Sequence, residues 1–118
     1  MHEGAIAQGI LTTALGALPS AGIHKITRIS IVVGTLAGVV PESLELFFRE
    51  LSSGTRASDA ALEIKFKQAE LVCRKCNARV EHDSGCPVAL NCVVCGGFNH
   101  LEGGREMFLE EMEIAEDL

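Results

Sequence analysis

The chain has 118 residues, is 47% hydrophobic, contains neither tryptophan nor tyrosine, and carries a formal net charge of −6. That length fits one domain, or a small domain carrying a metal module. The acidic balance and scarce aromatics argue against a nucleic-acid binder, and no apolar run reaches the eighteen residues a membrane helix needs.

Residues 4–18 read as an amphipathic helix, with Ile6, Ile10, Ala14 and Leu18 every four residues and Leu11 and Leu15 widening the stripe. Pro19 to Gly22 end it. A strand is expected over 26–33, where Ile29, Ile31 and Val33 alternate with Arg28, Ser30 and Val32. After a glycine-containing loop, Pro41 fits the first turn of a second helix and Glu42 favours its positive end. Leu44, Phe47, Phe48 and Leu51 give that helix one apolar face. A second strand spans about 61–71, with Leu62, Ile64 and Phe66 alternating with Glu63, Lys65 and Lys67. A third is expected over 106–115, with imperfect alternation that a bulge or two-sided burial would explain.

Between the second and third strands lie Cys73-Arg74-Lys75-Cys76 and, fifteen residues on, Cys92-Val93-Val94-Cys95. Two C-x2-C pairs so spaced form the pattern of a four-thiolate zinc site, because each tight turn aims two sulfurs at one ion. Four thiolates leave no open position, so such a metal is structural. Iron in a four-sulfur tetrahedron, two disulfides and idle thiols are the alternatives. Gly96 and Gly97 follow the second pair, where backbone must curl close to the metal and a positive φ is allowed. About twenty-five residues cannot bury enough apolar surface alone, so the metal has to supply the module's folding free energy. Cys86 forms no pair and reads as a free thiol, with competition for zinc or a response to oxidation as the alternative. His82 and His100 read as exposed loop residues, with replacement of a thiolate in another coordination state as the alternative, and His24 reads as solvated.

The expected fold is therefore an α/β sandwich: a small three-stranded mixed sheet with two helices and an inserted four-cysteine zinc-ribbon-like module. Residues 1–70 and 104–118 would form the α/β domain and 71–103 the module. Because the chain leaves the second strand and returns as the third, those two strands are expected to pair. Residues 1–101 balance nine acidic against nine basic side chains, so the whole charge excess lies in 102–118. That run reads as a solvated strand face, with a partner-facing or metal-attracting surface as the sharper alternative. No nucleophile elbow, P-loop or H-E-x-x-H is present, so an enzyme is not expected. The chain lacks a basic stretch ahead of its first apolar run, and its thiols favour a reducing compartment, so the expected location is cytoplasmic.

His2 lies beside the α-amino group, where amine, amide and imidazole nitrogens can close small chelate rings on square-planar Ni(II) or Cu(II). Met1-His2-Glu3, the segment from Ile29 through Gly34-Thr35-Leu36-Ala37-Gly38-Val39-Val40-Pro41-Glu42, the two C-x2-C pairs and Gly104-Arg105-Glu106 together resemble the HypA/HybF family of nickel metallochaperones, which help mature nickel–iron hydrogenase. The resemblance covers essentially the whole chain. It implies that His2 binds nickel together with the Met1 backbone amine and neighbouring amide nitrogens, and that Glu3 belongs to that site. It also implies structural zinc on Cys73, Cys76, Cys92 and Cys95, a GTPase partner HypB, and delivery to the hydrogenase large subunit. A homodimer formed by exchanging the ribbon is compatible with it. Two departures stand out: Val93 where many members carry proline after the third cysteine, and no histidine abutting either pair. The competing reading is a zinc-ribbon adaptor for protein or nucleic acid, with Arg74, Lys75 and Arg79 as a small basic spot.

Overall fold

The computed structural model describes residues 2–20, 23–83 and 85–116. Its elements, in order, are α1 (Glu3–Gly16), β1 (His24–Gly34), α2 (Pro41–Ser52), β2 (Ala61–Lys67), β3 (Glu70–Cys73), β4 (Arg79–Glu81), β5 (Asn99–Glu102) and β6 (Met107–Glu116). Two three-stranded sheets result, in the orders β2-β1-β6 and β4-β3-β5. The chain divides into two compact units: 1–32 with 38–65 and 108–118, and 33–37 with 66–107.

In the helical unit, α1 packs against α2. The buried stripe of α1 is Glu3, Ala7, Ile10, Leu11 and Ala14, one step round from the predicted Ile6-Ile10-Ala14-Leu18 line, in which Ile10 and Ala14 alone are buried. On α2, Leu44 and Phe48 are buried while Phe47 and Leu51 lie at the exposed margin, so the apolar face is narrower than the sequence suggests. Gly4 comes within 3.6 Å of the Phe47 ring, measured from where its Cβ would stand.

The first sheet corrects the expected pairing. The two strands that flank the module are not neighbours; each pairs with β1, which occupies the centre. The reason is visible in β1 itself. Ile29-Ser30-Ile31 are all fully buried, so both faces of this strand are covered. By contrast, β2 and β6 keep charged residues along one side and suit the edges. Helix α2 makes a crossover from β1 to β2. Thr35 beyond the end of β1 donates to Lys67 O at the end of β2 (2.9 Å), while Arg28 near the start of β1 pairs with Glu63 near the start of β2; the two strands run parallel. On the other side, the Gly34 N–H meets Glu106 O at 2.7 Å and the Thr27 hydroxyl meets Glu113 O at 3.1 Å, an antiparallel progression. The sheet is mixed.

The acidic run of 102–116 is mostly spoken for. Arg28 pairs with Glu63, Glu111 (2.9 Å) and Glu113 (3.0 Å). Lys65 meets Glu110 at 3.4 Å and Lys67 meets Glu106 at 3.2 Å. This is the solvated, ion-paired strand face, rather than a free anionic surface.

The predicted strand over 61–71 is two strands. It breaks at Gln68-Ala69, and Glu70–Cys73 enters the second sheet. There β3 is central and antiparallel to both neighbours, with Leu71 opposite Val80 on β4 and Cys73 opposite Asn99 on β5. At the base of this unit Gly34 presses on Gly104: a Cβ on Gly34 would fall 2.1 Å from the Gly104 carbonyl. Only glycine permits that approach.

Candidate metal centre

The four cysteines of the two C-x2-C pairs converge in the second unit, their sulfurs all within 4.8 Å of one another. Two copies of one turn achieve this. In the first, Cys73 N–H donates to Ala78 O (3.0 Å) and Asn77 N–H to Cys73 O (3.0 Å); in the second, Cys92 N–H donates to Gly97 O (2.7 Å) and Gly96 N–H to Cys92 O (2.9 Å). The residue after each second cysteine takes a left-handed conformation, Asn77 at φ 62° and Gly96 at φ 75°. Asparagine tolerates that region better than other non-glycine residues, so C-x2-C-N and C-x2-C-G are equivalent signals. Only the glycine stands out in the sequence pattern.

Backbone amides then aim at the sulfurs. Lys75 and Cys76 N–H groups lie 3.3 and 3.4 Å from Cys73 Sγ, Val94 N–H 3.3 Å from Cys92 Sγ, and Gly97 N–H 3.4 Å from Cys95 Sγ. Hydrogen bonds to sulfur favour the thiolate. The Cys76 N–H, joined by that of Lys75, holds the Cys73 thiol down to about 6 against the opposing effect of burial. Cys92 is likewise lowered, chiefly by the amides of Cys95 and Val94. Cys76 goes the other way. The Ala78 N–H acts to lower it, but the neighbouring Cys95 thiol, burial and the remaining sulfurs push it up to about 12. Four sulfurs this close cannot all ionise unaided; a cation at their centre would let them.

The distances fit one. Cys73 and Cys95 sulfurs stand 3.5 Å apart, and those of Cys76 and Cys92 stand 3.7 Å apart. A tetrahedron with metal–sulfur bonds of about 2.3 Å has edges of about 3.8 Å, whereas a disulfide is about 2.05 Å. All five cysteines are free, so the disulfide alternative falls. Gly97 closes the site. A Cβ there would stand 2.9 Å from Lys75 Cβ, 3.1 Å from Cys73 Sγ and 3.3 Å from Cys95 Sγ.

Other candidates stay outside this cluster, which among the described residues is the one group of three or more metal-ligating side chains. Cys86 is exposed. His82 is buried at 6% exposure rather than exposed, because the chain folds back on itself there and its N–H donates to Ala69 O (2.8 Å). His100 is half-buried because it stands on β5 opposite Val72, and its Nε2 lies 3.0 Å from Glu102. His24 opens β1 rather than preceding it and is half-buried, its Nδ1 enclosed.

At the other end of the chain, His2 is exposed and is the N-cap of α1. Its carbonyl accepts the Ile6 N–H at 3.0 Å, and its side chain makes no capping bond. Glu3 behaves differently. It is buried at 5% exposure, and its Oε2 accepts the Val40 N–H at 3.3 Å. The amine expected from Met1 lies outside the described residues.

Residues 1–114 match the family model described as HypA, hydrogenase/urease nickel incorporation, metallochaperone. The hydrogenase maturation factor HypA of Dehalococcoides mccartyi is 36% identical over 99% of this chain and 97% of its own. That of Archaeoglobus fulgidus is 31% identical over 97% and 98%. Among solved structures, the nickel metallochaperone HypA from Helicobacter pylori superposes with a TM-score of 0.65 at 22% identity, covering 99% of this chain and all of that one, and shows the same fold.

Proposed function

The chain belongs to the HypA family of hydrogenase/urease nickel-incorporation metallochaperones, and we propose that it binds one Ni(II) at its N-terminus and delivers it for maturation of nickel–iron hydrogenase. Zinc on Cys73, Cys76, Cys92 and Cys95 serves structure alone. The observation that carries the nickel reading is His2, exposed and uncommitted at the head of α1. The N–H groups of a helix's first turn have no helical carbonyl to meet, so the first amide nitrogens and the His2 imidazole, joined by the amine of the first residue, would make one square-planar nitrogen set.

The division of labour follows. Residues 1–70 and 104–118 form the nickel-binding part, and 71–103 the zinc module. A cargo ion has to leave, and a chelate on an exposed chain end can be dismantled one nitrogen at a time. Its amide and imidazole ligands must be deprotonated, so nickel affinity falls as pH falls. The module holds a rigid docking surface, on which Val93 and Val94, at 89% and 73% exposure, crown the second knuckle. The partners in this scheme are the GTPase HypB and the hydrogenase large subunit, in the cytoplasm, and no step requires the protein to be an enzyme.

Calorimetric titration of Ni(II) into zinc-loaded protein tests this. Wild type should take up one ion per chain, and His2→Ala none, with zinc content unchanged. Undiminished binding by His2→Ala would remove the assignment. Iron in the cysteine site would colour the oxidised protein red; the zinc form is colourless.

A further inference from the structure

Glu3 stands in the first turn of α1, next to His2, yet its side chain turns inward. It is 5% exposed, and its Oε2 accepts the N–H of Val40 at 3.3 Å. Val40 is the N-cap of α2, and its own side chain offers nothing to cap that helix. Pro41 follows at the first helical position. The start of α2 therefore carries the positive end of a helix dipole with no capping residue of its own, and the Glu3 carboxylate is the anion bonded there. The helices touch again one residue on, where Gly4 meets the Phe47 ring at 3.6 Å.

A carboxylate one residue from the nickel-binding imidazole would ordinarily be counted as a ligand. This one is enclosed and already engaged, the Val40 N–H being among its partners, whereas His2 is exposed. We propose that the Glu3 carboxylate is a positioning residue: it anchors the first turn of α1 to the N-cap of α2, so that His2 and the amide nitrogens are held in place, and donates no atom to nickel. This rests on the nickel reading given above. It adds that the start of α2 is part of the site's support, so that Glu3 acts through Val40.

Glu3→Gln and Glu3→Ala separate the possibilities. A glutamine carbonyl can accept the same Val40 N–H; alanine cannot. Glu3→Gln should bind Ni(II) as wild type does, with the same ligand-field absorption spectrum. Glu3→Ala should lose about 10-fold or more in affinity, the usual cost of removing a group that orients a metal ligand. Metal-free at the nickel site, Val40 amide exchange should quicken in Glu3→Ala and stay slow in Glu3→Gln. An altered nickel spectrum in Glu3→Gln would make the carboxylate a ligand and overturn the proposal. A loss in Glu3→Gln equal to that in Glu3→Ala would make the charge, not the anchor, the requirement, and overturn it equally. Unchanged Val40 exchange in Glu3→Ala would remove the anchor alone; absence of nickel binding in wild type would remove the reading beneath it.

Discussion

The cysteine cluster and the first turn of α1 offer metal ions opposite terms. In the cluster, donors come from two turns nineteen positions apart, matched bond for bond, with amides fixed on the sulfurs and Gly97 packed against two of them. An ion held there could not leave without the module losing its centre. In the first turn, every proposed donor comes from consecutive residues, and the imidazole stands in solvent. The comparison teaches how one small chain can keep one ion and give up another: by drawing donors from turns far apart in sequence and fixing them with backbone amides for the first, from adjacent, open residues for the second.

The largest effect expected from breaking this contrast is at the cluster. Cys73→Ser, Cys92→Ser or zinc chelation should collapse the amide spectrum of 71–103 while the resonances of α1 and α2 persist. Limited proteolysis should then cut first between 73 and 100. Cys86→Ser should leave metal and spectrum unchanged. The reverse experiment is Leu44→Ala, which empties a fully buried position in the helical unit. It should cost about 2–5 kcal/mol, read as a lowered melting temperature, with zinc retained.

These two tests also mark what the sequence made legible. The metal cluster could be read directly, because a C-x2-C turn is a local structure whose geometry its spacing dictates. The helices and the strands flanking the module could be located by their periodicities. Strand order could not be inferred from chain order. It follows from Ile29-Ser30-Ile31, an uncharged run buried on both faces that claims the centre of the sheet, and a reading of that run as two-sided would have found it. Resemblance places Glu3 in the nickel site, but its bond to Val40 joins residues thirty-seven positions apart, which no local pattern announces. The burial of His82 is hidden from the sequence for the same reason, since a chain reversal covers it.

A finer test concerns Gly97. Gly97→Ala sets a methyl group against Cys73 and Cys95 sulfurs and Lys75, so a chelator competition should show zinc held about 10-fold less tightly, with nickel uptake unaltered.

The smallest effect is on acid stability. Arg28 holds the Glu111 carboxyl below its ordinary range; at Glu106 the residue's own backbone N–H is the main cause, joined by Lys67 against the opposing effect of burial. A carboxyl lowered on folding contributes stability that is fully present above its unfolded value, about 4.3, and is lost as pH falls through the folded value. Melting temperature should therefore decline modestly below about pH 4.5, and Arg28→Met should flatten the part of that decline due to Glu111. High salt should weaken the same contribution, because one partner of each pair is exposed to solvent.

The most direct test of the account follows both ions in one sample. Protein loaded with zinc and then with one equivalent of Ni(II) is challenged with a chelator, and native mass spectrometry records each metal stoichiometry over time, for wild type and His2→Ala. The account predicts that wild type begins with one zinc and one nickel and loses nickel first, through a species carrying zinc alone, while His2→Ala carries zinc alone from the outset. Simultaneous loss of both metals, or departure of zinc ahead of nickel, would contradict it.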